Sequence, residues 1–417
     1  MLKSFTLKER SWIYYDWANS AYSSIVTATI LPVFYKGMTD AANVSKDRAD
    51  SLISLAISIG SLIIALMAPI LGNIANFKGF KVKMFKIFLG IGVASTFLLA
   101  VCPTWEWILA VYAVTIIGFH GSGLFYDAFL VEVTTEDRMD KVSTYGYALG
   151  YIGGSTIPLV LSIILIFFGG SVGIDASMGA RLSFIITAIW WICFSYPMLK
   201  NIKQEYYIEI EPQIIRKSFR NLINTLKNIR RYKAVFLFLI AYFFYIDGVN
   251  TIIGIATVFG DTVGISSNFM IGVLLGIQIL AFPFAILFGA AAKKFGTRTM
   301  IMTGICIYSV ITFLGFMMKS QLEFLLLALL VSTSQGGIQA LSRSYFGKMI
   351  PLEKANEFFG FYDIFGKFAA IMGPLLFSFC TYITENSRIG VLSLLLLFII
   401  GGAIFWYSWR FSKPDSL

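Results

Sequence analysis

Polar side chains recur inside long apolar runs of this sequence, where hydrocarbon surroundings make a polar group costly. The first run opens with YYDWANSAYSS, residues 14–24, which brings a carboxylate, an amide and several hydroxyls together. Because residues three or four apart share one face of a helix, this stretch forms one polar stripe. The stripe consists of Asp16, Ser20, Ser23 and Thr27, with Asn19 beside it. Since it includes a carboxylate, we predict that it lines a cavity; hydrogen bonding between helices is the alternative.

Three later runs carry comparable stripes. They comprise His120, Gly123 and Asp127 in the fourth run, Asp247, Asn250, Thr251 and Gly254 in the seventh, and Ser332, Gln335, Gln339 and Ser342 in the tenth. An unperturbed imidazole titrates at about pH 6.5, so His120 is a candidate for proton coupling, although a buried histidine often serves only as a structural hydrogen-bond partner. Asp127 lies near the end of its run and is a candidate gate or loop residue as much as a substrate contact.

The eleventh run holds an acid and a cation one helical turn apart, Asp363 and Lys367. Such a pair neutralises itself on one face of a helix. It is either a structural ion pair or a site at which Lys367 leaves Asp363 to bind a substrate carboxylate.

The elements that position these residues follow from composition. Of 417 residues, 57% are hydrophobic and 13% charged, and the mean hydropathy is +0.77, whereas soluble domains are about 25% charged. Because apolar segments of this length cross a bilayer as helices, we predict an all-α polytopic membrane protein with twelve spans. The predicted spans are 11–35, 51–75, 84–102, 107–131, 143–168, 181–199, 234–260, 269–292, 299–318, 322–345, 357–383 and 389–410.

The basic residues predict the orientation. With both termini inside, 26 of the 33 Lys and Arg lie in cytoplasmic segments, six lie outside and Lys367 lies within a span. Since cytoplasmic loops carry the excess of Lys and Arg, we expect both termini in the cytoplasm, in a bacterial cytoplasmic membrane. The net charge of +10 is therefore a loop charge and does not indicate nucleic-acid binding.

Other classes of site are disfavoured. The four cysteines form no C-x-x-C pair, and His120 is the sole histidine, so we expect no disulfide framework, metal site or cofactor. No G-x-x-x-x-G-K-[S/T] loop, G-x-S-x-G or H-E-x-x-H motif occurs, which disfavours an ATP pump and a membrane enzyme. The first run is too long for a signal-peptide core and is interpreted as a retained helix.

A central polar segment, residues 200–232, divides the spans into an N-terminal bundle, 1–199, and a C-terminal bundle, 233–417. Within it, IIRKSFRNLINTLKNIRR has apolar residues at helical spacing and basic residues on the opposite face. This pattern predicts an amphipathic helix held at the membrane surface by anionic lipid; a solvated linker helix is the alternative.

The two halves resemble each other. DWANS from Asp16 is echoed by DGVNT from Asp247, and TTEDRMDKVSTYGY by PLEKANEFFGFY, which aligns Gly146 with Gly360. The segments GNIANFKGFKVK and GAAAKKFGTRT each place glycines seven residues apart, Gly72 and Gly79 in the first and Gly289 and Gly296 in the second. Such repeats predict two pseudo-symmetric six-helix bundles, with a transport site at their interface.

The loop pattern G-x-x-x-[D/N]-x-x-G-x-[K/R] resembles the signature of the major facilitator superfamily, with Asn76 and Lys293 where that family usually has aspartate. The motifs YDWANSAY, GYALGYIGG and QGGIQALSRS are similar to those of its vacuolar-effluxer-like branch, which contains a yeast amino-acid exporter. The resemblance implies that the first, fourth, seventh and tenth helices line a central cavity. Gating or structural roles are expected for Gly72, Gly79, Gly289, Gly296, Arg343, Asp127 and Asp363.

Glycines recur every fourth residue along the fifth run, at Gly146, Gly150 and Gly154. This spacing allows close helix packing, and we predict a packing role there.

Together these features predict a secondary active transporter of a small polar solute, most readily an amino acid or small peptide. Acids at Asp16 and Asp247 suit its ammonium group and Lys367 suits its carboxylate. Protonation of Asp16, Asp247 or His120 is the hypothesised coupling step, with sodium as the alternative, and we expect a monomer. The competing classes are an exporter of organic cations, bound with Trp17, Tyr22 and Tyr245, and a membrane sensor that does not transport.

Overall fold

The computed structural model describes residues 2–154, 156–210, 218, 220, 223–225, 229–369 and 371–411, and these residues are almost entirely helical. Within them, twelve long helical stretches follow one another. They are α1 (Leu7–Tyr22, Ser23–Thr29 and Ile30–Ala41), α2 (Lys46–Ala75), α3 (Phe80–Leu99), α4 (Trp105–Ala128), α5 (Met139–Leu149, Gly150–Gly154 and Ile157–Phe168), α6 (Ala176–Asn201), α7 (Lys233–Thr262), α8 (Ser267–Phe295), α9 (Thr297–Met317), α10 (Gln321–Met349), α11 (Ala355–Phe368 and Met372–Thr384) and α12 (Ser387–Ser393 and Leu395–Ser408).

Eleven of the described helices are long and apolar enough to cross a membrane. The stretch not among them is α1, because its polar residues lower the hydropathy of the run. The predicted fold class, an all-α polytopic membrane protein, is confirmed.

Three of the helices that carry predicted polar or glycine patterns depart from regular α-helix. Segments Ser23–Thr29 of α1 and Gly150–Gly154 of α5 are π-helical, and α11 is divided between Phe368 and Met372. π-Helical turns are rare and often occur at functional sites. They fall on helices that the sequence analysis had already singled out for polar or glycine patterns.

Contacts divide the chain into two compact units. The first unit comprises Met1–Thr134, Leu149–Ser218 and Glu353–Gly360, and the second comprises Thr135–Ala148, Phe219–Leu352 and Phe361–Leu417. Each unit thus contains a short segment from the other half of the sequence: the start of α11 lies in the first unit and the start of α5 in the second.

Aromatic side chains join α1 to α4 in the core of the first unit. The indole of Trp12 stacks on Tyr126, with 4.4 Å between ring centroids, and donates to the Tyr126 carbonyl oxygen at 2.9 Å. The Tyr22 and Thr115 hydroxyls lie 2.7 Å apart and both residues are buried. These contacts bury large apolar surfaces and satisfy the Trp12 indole N–H and the Tyr22 hydroxyl, so they fix the α1 and α4 polar residues within one unit.

The second unit has a similar aromatic core around α7. Phe238 contacts Tyr345 of α10 and Phe405 of α12, at 5.2 and 5.9 Å between ring centroids. The Tyr245 hydroxyl lies 2.6 Å from the Ser342 hydroxyl, and Tyr245 is completely buried. The seventh and tenth helices, which carry the predicted polar stripes, are therefore held together.

The beginning of the central segment packs in the first unit. The N–H of Ile208 donates to the Asn76 carbonyl oxygen at 2.8 Å, and the Lys78 N–H donates to the Ile208 carbonyl oxygen at 3.0 Å. This forms a one-residue parallel bridge between Phe77 and Ile208. Most of the predicted basic amphipathic helix lies outside the described residues.

Candidate functional site

The polar residues predicted on α1 and α4 are partly accessible although they lie in apolar spans. Asp16, Asn19, His120 and Asp127 are half-buried, and Ser23 is exposed. Polar side chains inside a membrane span face the protein interior or a water-filled cavity. The first unit therefore offers two carboxylates, an amide, a hydroxyl and an imidazole on two of its long helices.

Helix α5 approaches α1 closely beside these residues. A Cβ added to Gly150 would lie 2.7 Å from the Ser20 hydroxyl oxygen, and one added to Gly153 would lie 2.0 Å from the Trp17 ring. Gly150 belongs to the predicted series of glycines at every fourth residue of α5, whereas Gly153 does not. The π-helical turn explains this, because it changes which residue of α5 faces α1.

The second unit presents amides on α7 and α10. Asn250, Gln335 and Gln339 are half-buried, as the residues of the first unit are. Asp247 differs from its repeat counterpart Asp16, since its side chain is completely buried. Asp247 therefore does not belong to the partly accessible polar set.

Asp363 and Lys367 form an ion pair one turn apart on α11. Their side chains are 20% and 12% exposed, respectively. The pair is thus made as the spacing allows, and both partners remain slightly accessible.

A cavity of about 80 Å³ lies within the second unit, between α7, α8, α9, α10 and α12. Aliphatic and aromatic side chains line it almost entirely, and the hydroxyl of its one polar side chain, Thr312, donates to the Tyr308 carbonyl oxygen at 2.7 Å. This cavity lacks the groups that a polar solute requires, so it is not the candidate site.

The start of α11 packs tightly against the end of α2 in the first unit. A Cβ on Gly72 would lie 2.3 Å from the Asn356 carbonyl oxygen, and one on Gly360 would lie 2.7 Å from that of Ala68. The Asn73 amide donates to the Glu357 carboxylate at 2.8 Å, and both residues are buried. The backbones of α2 and α11 can approach this closely only because the contact residues are glycines, which have no side chain to clash.

The start of α5 is bound in the second unit through Asp140. Its carboxylate accepts hydrogen bonds from the hydroxyls of Thr297 and Ser344, each at 2.6 Å, and from the Lys348 ammonium at 2.7 Å. Donors from α9 and α10 thus converge on one acid, and hydrogen bonds to an ionised acceptor are the strong ones.

Arg343 is buried beside this acid and also binds the start of α5. Its guanidinium donates to the Ser143 hydroxyl at 3.0 Å and to the Ser143 carbonyl oxygen at 3.2 Å. It also lies over the Tyr147 ring, 4.6 Å from the centroid. Gly289 lies close by in the same unit, where an added Cβ would be 2.3 Å from the Thr144 hydroxyl oxygen. Gly146 is buried.

The paired loop glycines, Gly79 and Gly296, have positive φ angles of 78° and 87° at the turns before α3 and α9. Glycine adopts such angles at low cost, so both have a conformational role. Asn76, at one position where the superfamily signature has aspartate, is buried, and Lys293, at the other, is exposed.

A buried ion pair supports the loop between α2 and α3. The Lys81 ammonium lies 2.8 Å from the Glu132 carboxylate and donates to the Ala128 carbonyl oxygen at 2.9 Å, with both charged side chains at most 1% exposed. On the surface of the same loop, a hydrogen bond to Glu209 raises the pKa of Lys78. The loop and the start of the central segment are therefore bound to each other.

Sequence reasoning missed Asp140, Lys348, Asn73 and Glu357 as partners. The first and last of these lie in the echoed segments TTEDRMDKVSTYGY and PLEKANEFFGFY, which was the available signal. Among the residues that the structure describes, no group of three or more His, Cys, Asp or Glu could hold a metal ion.

Solved structures share this fold. The Escherichia coli fucose:proton symporter FucP matches with a TM-score of 0.72 at 14% identity, over 96% of this chain and 97% of that one. The proton:xylose symporter XylE matches with a TM-score of 0.72 at 12% identity, over 96% of this chain and 94% of that one. The fold is that of the major facilitator superfamily.

Sequence comparison gives the family. The MFS-type transporter YxiO of Bacillus subtilis is 49% identical over 405 residues, which are 96% of this chain and 94% of that protein. Autophagy-related protein 22 of Saccharomyces cerevisiae is 26% identical over 63% of this chain and 57% of its own length. The profile of the family described as "Vacuole effluxer Atg22 like" matches residues 131–410. The chain is therefore a transporter of the major facilitator superfamily and belongs to the vacuole effluxer Atg22-like family.

Proposed function

We propose that this transporter moves an amino acid or small peptide by alternating access, driven by a proton gradient. The observation that carries the proposal is the partly accessible set of acids, amides and imidazole on α1, α4, α7 and α10, within otherwise apolar spans. A zwitterion needs an anionic group for its ammonium and a cationic group for its carboxylate. Among the predicted residues, Asp16 of the first unit is the anion proposed for this role and Lys367 of the second unit is the cation.

The family description, vacuole effluxer, supports a transport function, and the resemblance of the sequence motifs points to amino acids as the substrate class. Proton coupling is supported by two structural neighbours whose own solutes, fucose and xylose, move with protons. Within this chain, Asp16, His120 and Asp127 are the half-buried titratable residues of the polar set on α1 and α4.

The cation-exporter alternative is less well supported. Of the three aromatic residues that it invokes, Tyr22 and Tyr245 are completely buried and their hydroxyls contact Thr115 and Ser342. Their rings are therefore part of the helix packing, and only Trp17 stays partly accessible.

We further propose a monomer in a bacterial cytoplasmic membrane with both termini in the cytoplasm, and an anionic-lipid contact for the central segment. The charge distribution along the sequence supports the orientation.

The test is uptake of labelled amino acids into proteoliposomes that contain the purified protein, with and without an inward proton gradient. We expect gradient-driven transport of at least one amino acid, and its loss in Asp16→Asn. The matched control is Asp261→Asn, an exposed acid at the end of α7, which should transport normally. Transport at the same rate with and without the gradient would contradict proton coupling. The absence of any uptake would favour the alternative of a membrane sensor that does not transport.

A further inference from the structure

Asp247 is an enclosed acid that forms no ion pair with any of the described residues. Its side chain has no exposure although it lies in the middle of α7. The carboxyl accepts a hydrogen bond from the Thr251 hydroxyl, at 3.4 Å to Oδ1, and the backbone of Gly373 lies beside the same oxygen. Its Oδ2 atom has no hydrogen-bond partner among the described residues. One oxygen of this acid is therefore unsatisfied within a membrane span.

The acid lies at the start of a half-helix. Gly373 is the second residue of the α11 segment Met372–Thr384, which begins after the break at Phe368. The first N–H groups of a helix have no acceptor within it and carry partial positive charge. A Cβ on Gly373 would lie 2.9 Å from Asp247 Oδ1 and 2.0 Å from the Thr251 hydroxyl oxygen. Only glycine allows this end of the half-helix to reach the acid.

The helix segments beside this part of α7 bring no opposite charge to Asp247. Segments Met372–Thr384 of α11 and Leu395–Ser408 of α12 contain no Asp, Glu, Lys or Arg. On the neighbouring helices, the charged groups lie at helix ends or are bound to other partners; they are Lys233, Asp261, Lys293, Lys294, Arg298, Glu323, Arg343, Lys348, Glu357, Asp363, Lys367 and Arg388. The uncharged titratable residues on these helices are Tyr242, Tyr245, Cys306, Tyr308, Tyr345, Tyr362, Cys380, Tyr382 and Tyr407.

We propose that Asp247 is a proton-binding site of the second unit, separate from the residues that contact the solute, and that its proton exchanges when the half-helix Met372–Thr384 moves away. This inference deepens the proposed proton coupling and rests on that function for its role in transport. In the enclosed arrangement a proton on Oδ2 removes the cost of an uncompensated buried charge. When water enters, the Oδ2–H bond breaks, the proton passes to water, and the remaining carboxylate is stabilised by water and the Thr251 hydroxyl.

The surroundings favour a proton over sodium. A sodium ion requires several oxygen ligands, whereas the described neighbours of this carboxyl add one hydroxyl, that of Thr251. The backbone of Gly373, at the start of the half-helix, lies beside the same carboxyl. In transporters with broken helices, half-helix N-termini face anionic groups, and sodium is bound by C-terminal ends and unwound carbonyls.

The test is infrared spectroscopy of the full-length protein in nanodiscs, titrated with pH in the absence of solute. We expect one protonated-carboxyl C=O band that titrates, is lost in Asp247→Asn and persists in Asp261→Asn. Asn mimics the neutral acid, so this variant should fold. Thr251→Val keeps the acid but removes its hydroxyl partner, and should shift the band. A titrating band unchanged in Asp247→Asn, or one that depends on sodium, would overturn the proposal.

Transport measurements connect the site to coupling. In proteoliposomes, Asp247→Asn should still exchange solute when the pH is equal on both sides. Its response to a proton gradient should be at least tenfold smaller than that of the wild-type protein. A full gradient response in this variant would contradict the coupling role. If the wild-type protein moves no amino acid but its band disappears in Asp247→Asn, the proposed substrate fails and the proton site stands.

Discussion

The Lys348 ammonium lies 2.7 Å from the Asp140 carboxylate, and this ion pair joins the start of α5 to the end of α10. The same carboxylate accepts hydrogen bonds from Thr297 and Ser344. The Lys348 and Asp140 side chains are only 18% and 13% exposed. One acid thus satisfies three donors of the second unit, although α5 belongs by sequence to the first half of the chain.

Removal of this acid should destabilise the protein. In Asp140→Ala the three donors lose their shared acceptor, so we expect the free energy of unfolding to fall by about 2–4 kcal/mol, slightly below the loss for a fully buried pair. The control is Asp50→Ala, which breaks the ion pair of Asp50 with Lys36, where both side chains are more than half exposed; an exposed pair contributes less than about 1 kcal/mol. Denaturant titration of both variants in detergent provides the comparison, and equal losses would contradict the structure.

Glycine substitutions should rank by what each new methyl group meets. Gly72→Ala places a Cβ 2.3 Å from a backbone oxygen of Asn356, whereas Gly289→Ala meets the side chain of Thr144. Because a side chain can rotate and a backbone cannot, we expect Gly72→Ala to cost about 1–3 kcal/mol of unfolding free energy and Gly289→Ala less. Gly90→Ala in α3 meets nothing within 4 Å and serves as the control. Thermal unfolding midpoints should fall in the same order, and a larger loss in Gly90→Ala would show the packing is different.

The sequence predicts the elements and the close approaches better than the polar partners. Apolar runs locate the helices because a membrane-spanning helix needs a long segment that is predominantly apolar. The repeat locates Gly72 and Gly289 because both halves need a small residue at the same point. The partners of these glycines come from segments distant in the chain, so local spacing contains no information about them. The same holds for Asn73 and Glu357, which are 284 residues apart.

Asp247 shows a further limit of pattern reasoning. The motif D-x-x-N-[S/T] makes it equivalent to Asp16, yet Asp16 is half-buried and Asp247 has no exposure. The difference comes from Gly373, which lets the broken helix α11 cover the acid. A run of apolar residues does not reveal where a helix breaks, and the π-helical turns of α1 and α5 were equally absent from the helical spacing.

The buried pair of Lys81 and Glu132 should show strong coupling in a double-mutant cycle. Lys81→Met leaves a buried carboxylate and Glu132→Gln leaves a buried ammonium, so each single variant should lose about 3–5 kcal/mol of unfolding free energy. The double variant has no buried charge and should be more stable than either, with a coupling energy of about 2–3 kcal/mol. The exposed pair of Lys8 and Glu205, with both side chains 44% exposed, is the matched control. Additive losses at Lys81 and Glu132 would contradict a direct interaction.

The proposed role of Lys367 predicts a loss that depends on the carboxylate of the solute. If its ammonium leaves Asp363 to bind that carboxylate, Lys367→Gln should weaken binding of the transported amino acid at least tenfold, equivalent to about 1.4 kcal/mol. Binding of the corresponding amine, which has no carboxylate, should change little. Asp363→Asn removes the competing acid and should preserve or strengthen amino-acid binding. Calorimetry on the purified protein measures all four combinations of variant and ligand. If Lys367→Gln weakens the binding of both ligands equally, the ion pair of Lys367 and Asp363 has a structural role. Another residue would then bind the carboxylate of the solute.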